Sequence, residues 1–391
     1  MSEAGPENVL VRITTVPISL KKLIAGQMRF MSQQGFKVYM ISSPYENIEE
    51  LEAKELSEFL AVSMSRKISP FKDLIALFKL VRILRKLKPK IVHTHTPKAG
   101  FLGMVAARFA GIPVRLHTVA GLPLMETNGL KRKILEWVEK LTYSCAVMVY
   151  PNSGNLKQFI VESKFCRSSK LKVIGNGSSN GIDTAFFRST TELLNTAAGL
   201  RKQYNIPEND FVYIFVGRLV RDKGIEELVT AFLEINSKHN NVWLLLVGPF
   251  EHELDPLSEV CGDQIEKNPQ IIAVGYKDDI RPYLMMANTL VFPSYREGFP
   301  NVPLQAGCFD LPSIVTNING CNEIIKDHKN GLIVPVKDSP ALRAAMTLIL
   351  TDESLYHILK SNARKMVVDR YEQRVMWNLI LLEYQNHLKS N

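Results

Sequence analysis

No apolar run in this 391-residue chain approaches the roughly 18–20 residues that a membrane span needs. Its opening, MSEAGPENVLVRITTV, lacks a basic start followed by an apolar core, so no signal peptide is expected. Cysteine is scarce. The five present, Cys145, Cys166, Cys261, Cys308 and Cys321, form no Cys-x-x-Cys pair. That spacing argues against a zinc site and a disulfide framework, and points to a reducing cytoplasm. No Gly-x-x-x-x-Gly-Lys-Ser/Thr loop occurs, which excludes the common triphosphate cradle. Nor does a complete Gly-x-Gly-x-x-Gly follow a strand: GNGSSNG carries Asn180 where the third glycine should fall. A nicotinamide-linked oxidoreductase is therefore poorly supported. Short internal repeats, low-complexity tracts and the Asp-x-Asp pattern are absent too.

What is present is enough apolar sequence, 46% hydrophobic, to bury a sizeable core. The length suits two domains better than one. Charge is unevenly placed: residues 1–188 hold 28 Lys+Arg against 14 Asp+Glu, whereas residues 189–391 hold 20 against 25. A basic half attracts nucleic acid, anionic lipid headgroups or phosphorylated substrates. The plainer alternative is a solvated basic face that aids solubility. A non-enzymatic nucleic-acid-binding protein is the alternative of another class; it rests on charge alone and lacks interleaved aromatics, so no nucleic-acid partner is expected.

Short apolar runs alternate with helical patterns throughout. NVLVRITT, KVYMISS, KIVHTHT, VRLHTVA, AVMVYPNS and LKVIGNG read as strands in the first half. FVYIFVG, NVWLLLVG, QIIAVG, NTLVFPS, PSIVT and GLIVP do so in the second. Between them run helices such as LIAGQMRFMSQQG and AGFLGMVAARFAG, several closing at Gly or Pro (Gly35, Pro89, Gly111). Near-continuous apolar strands separated by helices predict parallel sheets covered on both faces. The chain does this twice. The expected fold is α/β, with doubly wound Rossmann-like domains over 1–188 and 189–372, and a C-terminal helix near 373–391 packing back on the first. Ligands of such sheets sit beyond the carboxyl ends of the strands, so the expected site is the cleft where the domains face each other.

Two stretches carry the chemistry. In FVYIFVGRLVRDKGIEELVTAF a strand ends at Gly217, Arg218 and Lys223 flank a turn, and Gly224 opens a helix. Two cations beside a helix N-terminus suit a diphosphate; the alternative is pairing with Asp222, Glu226 or Glu227. In FPSYREGFPNVPLQAG a strand ends before Glu297, and Asn301 reads as the N-cap of a helix that carries Gln305. Gly298 permits close backbone approach, Glu297 suits a pair of sugar hydroxyls, and Gln305 fits a ribose. The alternatives are a solvated loop acid and a helix-surface amide.

GRLVRDKG followed about 75 residues later by SYREGFPNVPLQAG resembles the family-4 retaining glycosyltransferases of GT-B fold. NVWLLLVG, IIAVGY, MMANTLVFPS, TNINGCNEII and NGLIVP fit that family in order and spacing. Within it, VHTHTPKAGFLG and GIPVRLHTVAGLP are similar to a branch that builds bacterial surface polysaccharides on lipid carriers. The resemblance implies a hexosyltransferase acting without metal or cofactor on a nucleotide sugar, with UDP-hexose or UDP-N-acetylhexosamine the expected donor. It places Arg218 and Lys223 on the donor diphosphate, and Glu297 on the transferred sugar. Gly298 and Phe299 lie near the phosphates, with Tyr276, Pro300, Asn301 and Gln305 completing the donor set. His117 stands beside donor sugar and acceptor, its alternative being a hydrogen-bonded core histidine.

Two departures matter. The second acid of the family's Glu-x7-Glu motif is Gln305, and the glycine-rich loop usual after the first strand is replaced by RITTVPISLKKL. Ser19, Lys21 or Lys22 are candidates to supply its phosphate contact, and Ser19, Lys21, His95 and Lys98 are candidate acceptor residues. The expected acceptor is a polyprenyl-diphosphate-linked saccharide for capsule, O-antigen or exopolysaccharide. The basic helices FKDLIALFKLVRILRKLK and LKRKILEWVEK predict peripheral attachment to the inner face of the cell membrane. The alternative is that the leucines of the first helix only face the core. A nucleotide-sugar epimerase of the same fold is the competing enzyme.

Overall fold

A computed structural model of the chain describes residues 8–65, 69–122, 124, 127–251, 253 and 255–390. Residues 1–7, part of the stretch read for a leader, lie outside the described residues. The chain forms two compact units, Met1–Gly181 with Gln373–Asn391, and Ile182–Glu372.

In the first unit six strands, β1 (Asn8–Ile13), β2 (Phe36–Ser42), β3 (Glu58–Ala61), β4 (Ile91–His95), β5 (Val114–Val119) and β6 (Met148–Pro151), pair in the order β3-β2-β1-β4-β5-β6. Every pairing is parallel. The second unit repeats the plan with β7 (Phe211–Val216), β8 (Val242–Val247), β9 (Ile271–Ala273), β10 (Thr289–Phe292), β11 (Ser313–Thr316) and β12 (Gly331–Val334), ordered β12-β11-β10-β7-β8-β9. In each sheet the chain starts centrally, builds outward on one side, then crosses to the other. The order reverses between β1 and β4, and between β7 and β10. Those are the points where a crevice opens beyond the strand ends.

The strands form because they are apolar on both faces: Val212 to Val216 of β7 are all buried, as a central parallel strand requires. The helix Ile225–Asn236 buries Ile225, Leu228, Val229, Phe232 and Ile235, a 3.6-residue stripe, against that sheet. In the first unit the sheet has an apolar core on each face. One lies under the helices Pro70–Leu87, Pro97–Phe109 and Gly129–Cys145. The other is completed by Met376, Trp377, Ile380, Leu381 and Tyr384 of the helix Gln373–Lys389.

Several expectations are corrected. The unit boundary falls at Gly181 and not at 188, because Ile182 packs in the second core and donates its N–H to the Tyr371 carbonyl at 2.8 Å. Arg364 then holds the Thr184 and Phe187 carbonyls, each at 3.0 Å. LKVIGNG is not a strand: Leu171 makes one bridge to Val149, and Gly175 and Gly177 turn the chain at φ 56° and 96°. The sixth strand of the first sheet is instead β3, a four-residue edge strand too short to show a period. LIAGQMRFMSQQG is divided at Gly26 (φ 81°) into the end of helix Pro17–Leu23 and the helix Gln27–Gln33.

The C-terminal helix is tied to the first unit by polar bonds as well as packing. Buried Arg12 donates to the Tyr384 hydroxyl and, at 2.5 Å, to Gln27 Oε1. The same hydroxyl lies 2.6 Å from His93 Nδ1, and Trp377 Nε1 donates to Asn180 Oδ1 at 2.8 Å. A buried cation whose hydrogen bonds go to neutral acceptors depends on each of them. Tyr384→Phe should therefore destabilise the protein by about 1–3 kcal/mol, read as a lower midpoint in urea denaturation; an unchanged midpoint would mean that apolar packing alone holds this helix.

Candidate active site

The β7/β10 switch point of the second unit is where the two chemical motifs meet. After β7 the chain runs through Arg218 into a 3-10 turn, Arg221–Lys223, and Gly224 then starts the helix Ile225–Asn236. Gly224 has φ 71°, and a Cβ there would stand 2.2 Å from the Pro293 carbonyl oxygen beyond β10. Only glycine satisfies both constraints. This approach brings the two loops into register: the Tyr295 N–H donates to the Asp222 carbonyl at 2.9 Å, and Arg296 pairs with Asp222 at 2.7 Å.

Lys223 Nζ and Glu297 Oε1 are 2.5 Å apart, both side chains largely screened from solvent. Ser294 Oγ donates to the same carboxylate oxygen at 3.1 Å. Arg218 pairs with Glu251 at 2.9 Å. Both motif cations are therefore held by carboxylates, and by ones other than the Asp222, Glu226 and Glu227 weighed as alternatives. Lys223 and Glu297 come together in one constellation, whereas Arg218, in the loop after β7, is held by Glu251 of the loop after β8. Tyr276 lies exposed after β9.

The second motif differs in detail from expectation. The helix is Asn301–Gly307 with Pro300 at its N-cap and no capping side chain, so Asn301 is its first residue and not its cap. Pro300 occupies the cap because its φ of −75° and ψ of 132° end an extended segment. Phe299 packs against Tyr371, ring centroids 5.5 Å apart, and Gln305 is half-buried on the helix. The Gly298 carbonyl accepts from Asn319 Nδ2. Gly320 (φ 76°) comes so close that a Cβ would lie 2.8 Å from that carbonyl oxygen. Asn319 and Gly320 follow β11 and were missed as site residues, although Asn-Gly between apolar runs is a turn signal. Ser294 and Glu251 carry no local signal at all.

The first unit holds the remaining candidates. Ser19 and Lys21 lie on the helix after β1, and Lys21 Nζ donates to Tyr45 OH at 2.8 Å. Lys98 is paired with Asp73 at 2.5 Å. Thr15 and Thr96, beyond β1 and β4, share a 2.8 Å hydroxyl hydrogen bond, and Thr96 sits at φ 71° and ψ 146°, a strained setting for a residue with a Cβ. His95 is buried at the end of β4, its ring 4.3 Å from that of His93.

His117 is not presented to solvent. It is 2% exposed, its Nδ1 lies 2.8 Å from Thr94 Oγ1, and its ring fills the space a Cβ on Gly100 would need. Burial lowers its pKa to about 4 and pushes His93 and His95 well below the usual imidazole range. As the structure places it, His117 is a buried, hydrogen-bonded residue of the first unit, and its expected contact with sugar and acceptor remains a proposal.

Residues 198–366 match the family described as glycosyl transferases group 1, and residues 23–177 match the glycosyl transferase 4-like domain. The chain is 32% identical to the capsular polysaccharide biosynthesis glycosyltransferase CapM of Staphylococcus aureus, over 98% of each chain. It is 27% identical to the UDP-Gal:alpha-D-GlcNAc-diphosphoundecaprenol alpha-1,3-galactosyltransferase of Escherichia coli, covering 92% of this chain and 93% of that one. Among solved structures, a glycosyltransferase from Rickettsia africae superposes with a TM-score of 0.82 at 19% identity, over 98% of this chain and all of that one. The sheet orders and this likeness are those of the GT-B fold.

Two outcomes follow from the geometry. Gly224→Ala should destabilise by about 1–3 kcal/mol through strained φ and the clash with Pro293; equal unfolding midpoints for variant and parent would refute the close approach. The buried imidazoles set a pH dependence. An unfolded histidine titrates near 6.5 and folded His117 near 4, so between those values the unfolded chain binds more protons. The contribution is full above pH 6.5 and lost as pH falls, on the order of 3 kcal/mol for His117. Denaturation at pH 7 and pH 4.5 should show this loss, and His117→Gln should flatten it.

Proposed function

Because the chain belongs to the glycosyl transferases of group 1, we propose that it moves a hexose or N-acetylhexosamine from a UDP-sugar to a polyprenyl-diphosphate-linked saccharide, with retention of configuration, in surface polysaccharide synthesis. The names of the Staphylococcus and Escherichia relatives support the capsule setting, the uridine donor and the lipid carrier. The observation that carries the reading is the Lys223–Glu297 pair at the β7/β10 switch point. It sets one cation for a diphosphate and one carboxylate for sugar hydroxyls in the same crevice.

In this reading the donor separates the pair. Lys223 turns to the diphosphate, joined by Arg218 and by backbone N–H groups near Gly298 and Phe299, and Glu297 accepts from the sugar. Negative charge grows on the diphosphate as the anomeric bond breaks, and cations already aimed there stabilise that transition state without reorganising. The acceptor hydroxyl attacks from the face the diphosphate leaves. A departing phosphate oxygen takes its proton, so the neutral, buried His117 is not required as a base. No metal is needed in this scheme. Gln305 meets the ribose through an amide, and Ser19, Lys21, His95 and Lys98 remain proposed for the acceptor. An epimerase of this fold would interconvert the donor with no acceptor present.

Among the described residues no helix is long and apolar enough to cross a membrane. The proposed reach to a lipid-linked acceptor is peripheral attachment on the cytoplasmic side, with the basic residues of the first unit attracted to anionic headgroups.

Lys223→Ala should weaken UDP binding at least about tenfold in calorimetry, the loss of one charge-assisted bond, and abolish most transfer. Glu297→Ala should instead cut transfer by about a hundredfold or more while UDP binds as well as before or better, since Lys223 is released. Equal losses in binding and transfer for Glu297→Ala would remove the sugar contact. Transfer assayed in EDTA should match that without it; loss restored by a divalent ion would overturn the metal-free scheme.

A further inference from the structure

Most large apolar side chains of the first unit are buried; some exposed ones are scattered, but on two helices they line up. On Pro70–Leu87 the inner face buries Ala76, Leu80 and Leu84. The outer face carries Phe71, Leu74, Ile75 and Phe78 at i, i+3, i+4 and i+7, with Phe71 85% and Phe78 67% exposed. On Gly129–Cys145 the outer face carries Leu130, Ile134 and Trp137 at i, i+4 and i+7, with Leu130 75% and Trp137 61% exposed. Both helices pack against Pro97–Phe109 over one face of the sheet. Single exposed apolar residues are ordinary, but aligned stripes on two helices that share a neighbour mark a surface that leaves water.

The charge around the stripes says what they enter. Lys72, Lys79, Arg82, Arg85 and Lys86 are exposed on the first helix, and Lys131, Lys133 and Lys140 on the second. The acids of both helices are neutralised or buried. Asp73 is paired with Lys98 at 2.5 Å and Glu136 with Arg132 at 3.0 Å, while burial raises Glu139 to about 7. Apolar stripes bordered by cations, with a tryptophan among them, match the boundary between anionic headgroups and acyl chains.

We propose that these two stripes, led by Phe71, Phe78, Leu130 and Trp137, are a membrane-insertion surface that sinks into the acyl boundary of an anionic bilayer. This deepens the peripheral attachment above and rests on it only for the identity of the surface. Attraction by lysines alone is screened by salt; inserted aromatic and aliphatic side chains are not. The lysines bring the unit to the bilayer and the stripes hold it there. Of the leucines in the first helix, Leu74 therefore belongs to the exposed stripe, whereas Leu80 and Leu84 face the core.

The test uses the full chain and vesicles of phosphatidylglycerol and phosphatidylcholine without any saccharide acceptor. Flotation at 0.1 M and 1 M NaCl should leave a substantial wild-type fraction bound at high salt. A variant with Phe71→Ser, Phe78→Ser and Leu130→Ser should float at least tenfold less at 1 M NaCl, with unchanged circular dichroism and UDP affinity. Acyl-brominated lipid should quench part of the tryptophan emission, and Trp137→Phe should remove that quenched part. Complete release of the wild type by 1 M NaCl, or no quenching, would overturn insertion. So would lipid-free self-association, seen by light scattering, that the triple variant abolishes, since the stripes would then join two copies. Failure of UDP-sugar transfer with vesicle insertion intact would instead count against the proposed reaction.

Discussion

The second unit depends on one close approach. Gly224 lets the start of a helix lie against the carbonyl of Pro293, where any side chain would collide. From that contact follow the backbone bond between Tyr295 and Asp222, the Arg296–Asp222 pair, and the meeting of Lys223 with Glu297. Two charges screened from solvent at 2.5 Å are stable because each neutralises the other. Separating them is favourable only when new partners replace both at once, as the donor's diphosphate and sugar ring would in the proposed reaction. In that proposal the pair would act as a selectivity device: an anion alone would leave Glu297 unsatisfied, and a neutral sugar alone would leave Lys223 so.

The first unit solves a different problem. Its sheet buries Arg12 and His93 on the face covered by the C-terminal helix, and Tyr384 bonds to both. Burial keeps the imidazoles neutral, and the guanidinium donates to the neutral Tyr384 and Gln27 while Glu55 acts on it only electrostatically. Such a face is costly without its cover, so the last helix is part of the unit that begins the chain. Polar satisfaction, as much as apolar area, accounts for the chain returning at residue 373.

The charge imbalance along the chain acquires a location in the structure. Many of the cations in the first unit border apolar stripes on the helices Pro70–Leu87 and Gly129–Cys145. Composition could indicate attraction to an anionic partner. It could not distinguish a solvated basic face from one that also presents aromatic rings, because a helical pattern of leucines reads the same whether it faces a core or a bilayer.

Much of the fold was legible from residue order alone. Near-continuous apolar strands such as FVYIFV cannot sit at a half-solvated edge, and their alternation with helices leaves little but a parallel, doubly wound sheet. Arg218, Lys223 and Glu297 could be named because strand ends and helix starts are local signals. What the tertiary structure decided was non-local: that Lys223 and Glu297, 74 positions apart, share one hydrogen bond; that Arg218 meets Glu251; and that His117 lies beneath Gly100. It also decided that Ile182 belongs to the second core, and that LKVIGNG turns away while the charged edge segment Glu58–Ala61 becomes the sixth strand. Local sequence sets backbone preference and periodicity. Which side chains meet, and which remain in water, is set by how the strands are ordered.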